Sequence, residues 1–166
     1  MINRFELQKL VRTVKAARRV LITSHKDCGD ATGSVIATYL ALAQWRVRAD
    51  MFLPGPVPPT LRFLPYTEKI ITDLERISLD NYDVLFCVDA GDIAMTGLAD
   101  KWQERPVGLL TINLDHHFTN PGYGDSIILD KPASAASVVL LDFFRQAEIN
   151  VTREMSTCLL TWIFTD

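Results

Sequence analysis

Short apolar runs alternate with longer stretches of helical period along this chain. Phe5, Leu7, Leu10, Val11 and Val14 recur at roughly helical spacing with Lys and Arg between them, which predicts a helix over 4–17. Asn3 and Glu6 stand at capping-box spacing at its start. Val20-Leu21-Ile22-Thr23 predicts the first strand, and a helix follows from Asp30 to about Gln44. The stretch 45–53 alternates and predicts the second strand; four prolines between Pro54 and Pro59 then predict a loop of fixed φ. A short helical turn at 61–65 and a minor strand at Ile70-Ile71 come next. The clearest buried strand is 83–89, followed by a weak helix over 95–103 and a strand from Leu109 to Leu114. Ser126–Leu129 reads as an edge strand, 134–146 as a helix, and Thr152 as the cap of a last helix. Strands alternating with helices predict an α/β fold on a mainly parallel sheet.

Three of the strand exits are unusually polar. The strand ending at Leu114 leaves through Asp115-His116-His117 into a turn-rich loop. Two imidazoles beside a carboxylate suit Mn, Zn or Fe; a strand end with two surface histidines is the plainer alternative. The first strand leaves through His25, Asp27 and Asp30, where an ordinary loop with an Asp helix cap is the alternative. The third buried strand ends on Asp89, which alone reads as a turn former before Ala90-Gly91. In a parallel sheet these ends share one edge, the edge where ligands bind. The chain has only three histidines, and all of them lie there. His25, Asp27, Asp30, Asp89, Asp115, His116 and His117 are therefore expected to converge. That many carboxylates suggests two ions with a bridging aspartate, a centre able to activate water and stabilise an in-line phosphoryl displacement.

Composition narrows the picture. A chain of 166 residues, 48% apolar and 22% charged, can form one domain with a proper core. A net charge of −3 argues against a long-DNA or RNA binder but not against short anionic substrates, because a metal supplies local positive charge. Cys28, Cys87 and Cys158 are widely spaced, which suggests a reducing, cytoplasmic compartment without a disulfide framework. No apolar run is long enough to span a membrane, and no secretory leader is visible.

The ordered set Ser24-His25 with Asp30-Ala31-Thr32-Gly33-Ser34, then Val88-Asp89, then Asp115-His116-His117 with Asn120, then Thr165-Asp166 resembles the DHH phosphoesterases. That superfamily includes RecJ-type exonucleases, nanoRNases, phosphoadenosine-phosphate phosphatases and family II pyrophosphatases. Pro58 to Pro65 resembles the loop and turn of nanoRNase-like members. The resemblance covers essentially the whole chain. It implies a three-layer domain with helices on both faces of the sheet and a hydrolase using two Mn2+ ions, with Mg2+ or Co2+ as substitutes. By resemblance, His25 and Asp89 serve one ion. Asp30, Asp89, His116 and Asp166 serve the other, and Asp115 orients the adjacent imidazole. His117 faces substrate phosphate in a catalytic role, and Asn120 takes part in substrate binding.

Two departures stand out. The family's opening motif reads His, three residues, Asp, one residue, Asp, Ala. Here the position four after His25 is Gly29, so the first-ion aspartate is missing or is replaced by Asp27. The chain also stops at Asp166, where the family continues into a linker and a DHH-associated substrate-binding domain. Residues 1–166 are thus expected to be the catalytic-core lobe alone, weak or inactive without its partner lobe. The expected substrates are short oligonucleotides or nucleotide bisphosphates, with no membrane partner and with a homodimer allowed. A family II-type pyrophosphatase and a non-catalytic nucleotide-binding or regulatory module with a degenerate metal site are the alternatives.

Overall fold

The computed structural model describes residues 4–164, so Asn3 and Asp166 lie outside the described residues. Five strands form one sheet: β1 (Val20–Thr23), β2 (Ala49–Phe52), β3 (Val84–Val88), β4 (Leu110–Asp115) and β5 (Ser126–Leu129). Their order is β2-β1-β3-β4-β5, and every pairing is parallel. The helices are α1 (Arg4–Ala16), α2 (Gly29–Gln44), α3 (Ala99–Gln103), α4 (Ala136–Gln146) and α5 (Arg153–Leu160).

The strands β1 and β3 are buried along their whole length. Apolar side chains on both faces are what a central parallel strand requires. Val20, Ile22, Val84, Phe86, Val88, Ile112 and Leu114 point to one face, where α1, α2, α4 and α5 cover them. The Phe86 and Phe143 rings meet there edge to face at 6.1 Å. Leu21, Leu85 and Cys87 point to the other face, under Leu98, Ile77, Tyr82 and the partly buried Trp102 of α3. Both faces carry helix, but unequally.

The α2 helix packs against α5 through Gly33. A Cβ added at Gly33 would collide with the carbonyl oxygen of Cys158, so only glycine lets the two backbones approach this closely. The α5 helix begins where expected, with the Thr152 hydroxyl accepting the Met155 amide at 3.2 Å.

Several boundaries differ from expectation. The second strand begins at Ala49 rather than Trp45, because the amides of Trp45 and Val47 both return to the Leu42 carbonyl and close α2. Arg46 is left-handed at φ 58°, which no strand tolerates. Ile70-Ile71 contributes only a single parallel bridge, Phe52 to Ile71. The weak helix over 95–103 is split: a 3-10 turn at Ile93–Thr96 ends on Gly97 at φ 71°, and α3 starts afterwards. The expected turn at 61–65 is present, closed by the Leu64 amide on the Leu61 carbonyl at 3.1 Å, and it continues a 3-10 turn at Pro59–Leu61. No helix among the described residues is long and apolar enough to cross a membrane.

Candidate metal centre

The strand order reverses between β1 and β3, and in open parallel sheets such a switch point is where a ligand crevice forms, outside the carboxyl ends of the strands. His25 leaves β1 on one side of that crevice, and Asp89 leaves β3 on the other. His116 and His117 arrive from β4, the next strand over.

Asp89 is the point on which the others converge. Its side chain is almost fully buried, and its Oδ1 is buried without a hydrogen-bond partner. His25 Nε2 lies 3.3 Å from Asp89 Oδ2, and His116 Nε2 lies 3.5 Å from Oδ1. His117 Nδ1 is 3.8 Å from the same Oδ1. The carboxylate is aimed by the main chain. Asp89 has φ 52°, its amide donates to the Leu114 carbonyl at 3.0 Å, and its carbonyl accepts the Ser24 hydroxyl at 3.3 Å. A left-handed non-glycine residue held this firmly is the kind of strain that clusters at functional sites.

The imidazoles are oriented from behind. His25 Nδ1 lies 2.9 Å from the Lys26 carbonyl, and His116 Nδ1 lies 3.1 Å from the Ala133 carbonyl. A carbonyl only accepts, so both Nδ1 atoms carry hydrogen. In the neutral rings each Nε2 is then a lone pair pointed at a carboxylate oxygen. Lone pairs facing an anion repel unless a proton or a cation lies between them. With protons in that role, the hydrogen bond to Asp89 raises His25 to about 10 and His116 to about 9. Burial pushes the Asp89 carboxyl up, but its histidines outweigh burial and hold it below the ordinary carboxylate range. The donor set of imidazole and carboxylate around an orphaned buried oxygen fits divalent metal.

Asp115, wholly buried, holds His117 rather than facing the crevice. Its Oδ1 accepts His117 Nδ1 at 2.7 Å and its Oδ2 accepts Asn120 Nδ2 at 2.6 Å. Asn120 is itself buried; its amide also donates to Asn113 at 2.9 Å, and its Oδ1 accepts the Gly122 amide at 2.7 Å. Both ends of the Asn120 side chain are engaged inside the protein, as a bracket behind Asp115.

The first loop departs furthest from expectation. Asp27 is exposed and its only ionic neighbour among the described residues is Lys26 at 3.9 Å, away from the cluster. Asp30 does not cap α2. Its carboxylate accepts the amides of Ala136 at 2.6 Å and Ser137 at 3.0 Å, together with the Ser137 hydroxyl, and so caps α4. Burial, with Asp89 nearby, raises the Asp30 carboxyl above its ordinary value despite these bonds. Besides His25, Cys28 reaches Asp89 from this loop, with Sγ 3.9 Å from Oδ2. Its signal in the sequence was its place two residues before Asp30, the family's Asp-x-Asp spacing counted backwards. Two groups of ligand atoms result, each within 4.8 Å of one another: His25, Cys28 and Asp89, and Asp89, Asp115, His116 and His117. Asp89 is common to both.

A sequence profile of the DHH family, N-terminal domain, matches residues 19–163. The bifunctional oligoribonuclease and PAP phosphatase NrnA of Thermus thermophilus is 30% identical over 98% of this chain, which covers 48% of that protein. The chain thus spans about half the length of the curated relative it matches. An exopolyphosphatase-related protein from Bacteroides fragilis superposes with a TM-score of 0.87 at 20% identity, covering 99% of this chain and 50% of the other. The exonuclease RecJ bound to manganese gives a TM-score of 0.58 at 14% identity over 94% of this chain and 40% of RecJ.

Proposed function

Since the chain belongs to the DHH family as its N-terminal domain, we propose that it is the catalytic-core lobe of a two-metal phosphoesterase acting on short oligonucleotides or nucleotide bisphosphates. The observation that carries this reading is the Asp89 carboxylate, buried, with one oxygen unpartnered and two backbone-oriented imidazoles facing it. The oligoribonuclease and PAP phosphatase activities of the NrnA relative, and manganese in the RecJ neighbours, support the substrate class and the ion.

Asp89 would bridge the two cations. His25 belongs to one position, and His116, with Asp30 beside it, to the other. Asp166 is proposed for this second position on the family pattern alone. When bound, the pair supplies an activated water and neutralises charge on the phosphoryl oxygens. The protein's own groups do the rest. The carbonyls of Lys26 and Ala133 fix which nitrogen of His25 and of His116 faces the ions. Asp115 engages Nδ1 of His117, which leaves Nε2 to meet the substrate phosphate and assist the leaving oxygen. Asn120 keeps Asp115 in place by bonding its second oxygen.

The test uses the full chain in two assays. Calorimetric titration with manganese should show two ions. Incubation with a dinucleotide and, separately, with pyrophosphate should show manganese-dependent cleavage of the dinucleotide only. Preferential cleavage of pyrophosphate, or the absence of ion binding, overturns the reading.

A further inference from the structure

We infer that Cys28 is a thiolate ligand, making the His25–Cys28–Asp89 position a thiophilic one that takes zinc or cobalt in preference to manganese. This rests on the two-ion reading above and sharpens it at one of the two positions.

Capping does not explain this cysteine. Cys28 occupies the N-cap of α2 with extended φ and ψ, yet its side chain makes no cap hydrogen bond. Ser, Thr, Asp or Asn would do that work there. It is not packed away in the core either, as Cys87 and Cys158 are; it is partly exposed and unpaired. Its sulfur instead turns toward Asp89 at 3.9 Å, on the same oxygen that His25 Nε2 faces at 3.3 Å. Ligand atoms about 2.0–2.3 Å from a tetrahedral zinc stand about 3.3–3.6 Å from one another. The two separations in the structure lie close to that range.

Independent of the sulfur, the Asp89 carboxylate that both positions share points to a cation in this centre: it is buried, its Oδ1 on the His116 side has no hydrogen-bond partner, and its Oδ2 is the oxygen that His25 and Cys28 face. The loop also lacks an alternative oxygen ligand. The position four after His25 is Gly29, and Asp27 is turned to solvent beside Lys26. One sulfur, one nitrogen and one oxygen are three protein donors of the kinds that hold zinc, the number a catalytic zinc site uses. Manganese, which prefers carboxylate and carbonyl oxygens, is poorly served by a thiolate. The two positions of the centre therefore differ in kind, with sulfur on the β1 side and oxygen and nitrogen on the β4 side.

The experiment is a cobalt titration of the metal-free full chain, followed by electronic absorption rather than turnover. Ligand-field absorption reports cobalt binding, and a near-ultraviolet thiolate-to-cobalt charge-transfer band reports sulfur coordination. Wild type should show both. Cys28→Asp should keep the ligand-field absorption, lose the charge-transfer band, and move the zinc-over-manganese preference at that position by at least tenfold toward manganese. Cobalt bound without the sulfur band, or a band that survives in Cys28→Asp, overturns the thiolate assignment alone. Absence of any bound cobalt overturns the two-ion reading beneath it.

Discussion

Asp30 reaches across 106 positions to the start of α4 and accepts the amide of Ala136 at 2.6 Å. A carboxylate that the family pattern assigns to a metal thereby also fastens two helices. Its negative charge suits the positive end of α4. Asp30→Ala should lower stability by about 1–3 kcal/mol, because it leaves buried amides without an acceptor. Urea denaturation in the presence of a chelator is the decisive measurement. A loss seen only when metal is present would mean that the helix contact contributes nothing.

Asp89→Asn isolates charge from shape. Asparagine tolerates the left-handed φ of 52° as well as aspartate does. The variant should give a wild-type circular dichroism spectrum and no heat of manganese binding at concentrations that saturate the parent chain. Retention of either ion would show that Asp89 is not shared between the two positions.

The metal-free chain should be pH-sensitive in a defined window. His25, raised from 6.5 to about 10, and His116, raised to about 9, both owe the shift first to Asp89. A raised folded-state pKa stabilises fully below the ordinary value and stops stabilising as pH climbs through the raised one. Asp89, held low, works in reverse and loses its contribution as pH falls through its depressed range. The melting temperature in chelator should therefore decline as pH rises from 7 toward 10. Saturating manganese should flatten that decline, since the ions replace the protons. An unchanged slope with and without metal would separate the histidines from the ions.

Gly33→Ala should destabilise by about 1–3 kcal/mol or more, since the new methyl group meets the Cys158 backbone rather than a movable side chain. Gly55→Ala is the control, because its Cβ would meet only the flexible side chain of Lys26. The midpoint of urea unfolding should fall for the first and hold for the second.

Much of the fold was legible because it rests on local pattern. β1 and β5 fall where their apolar runs predict, and Thr152 caps α5. Pattern overextends β2, because Trp45 and Val47 alternate like a strand while their amides close a helix. The convergence of His25, Asp89, His116 and His117 followed from three strand ends sharing an edge. The direction in which each side chain turns did not. Asp27 and Cys28 are neighbours in one loop; Asp27 is left-handed at φ 61° and exposed, while Cys28 faces Asp89. Nor could spacing reveal that both ends of the Asn120 amide, read as a substrate contact, are used within the protein.

The left-handed turn at Asp89 has a consequence for how this architecture can vary. Strand β3 and its neighbours plant that carboxylate like a post, and the surrounding loops are walls that can be rebuilt around it. The loop after β1 is one residue shorter than the family pattern and offers sulfur where oxygen is usual, yet it still faces the same post. Changes of chemistry in such a centre should accumulate in the walls, while the residue after β3 stays put.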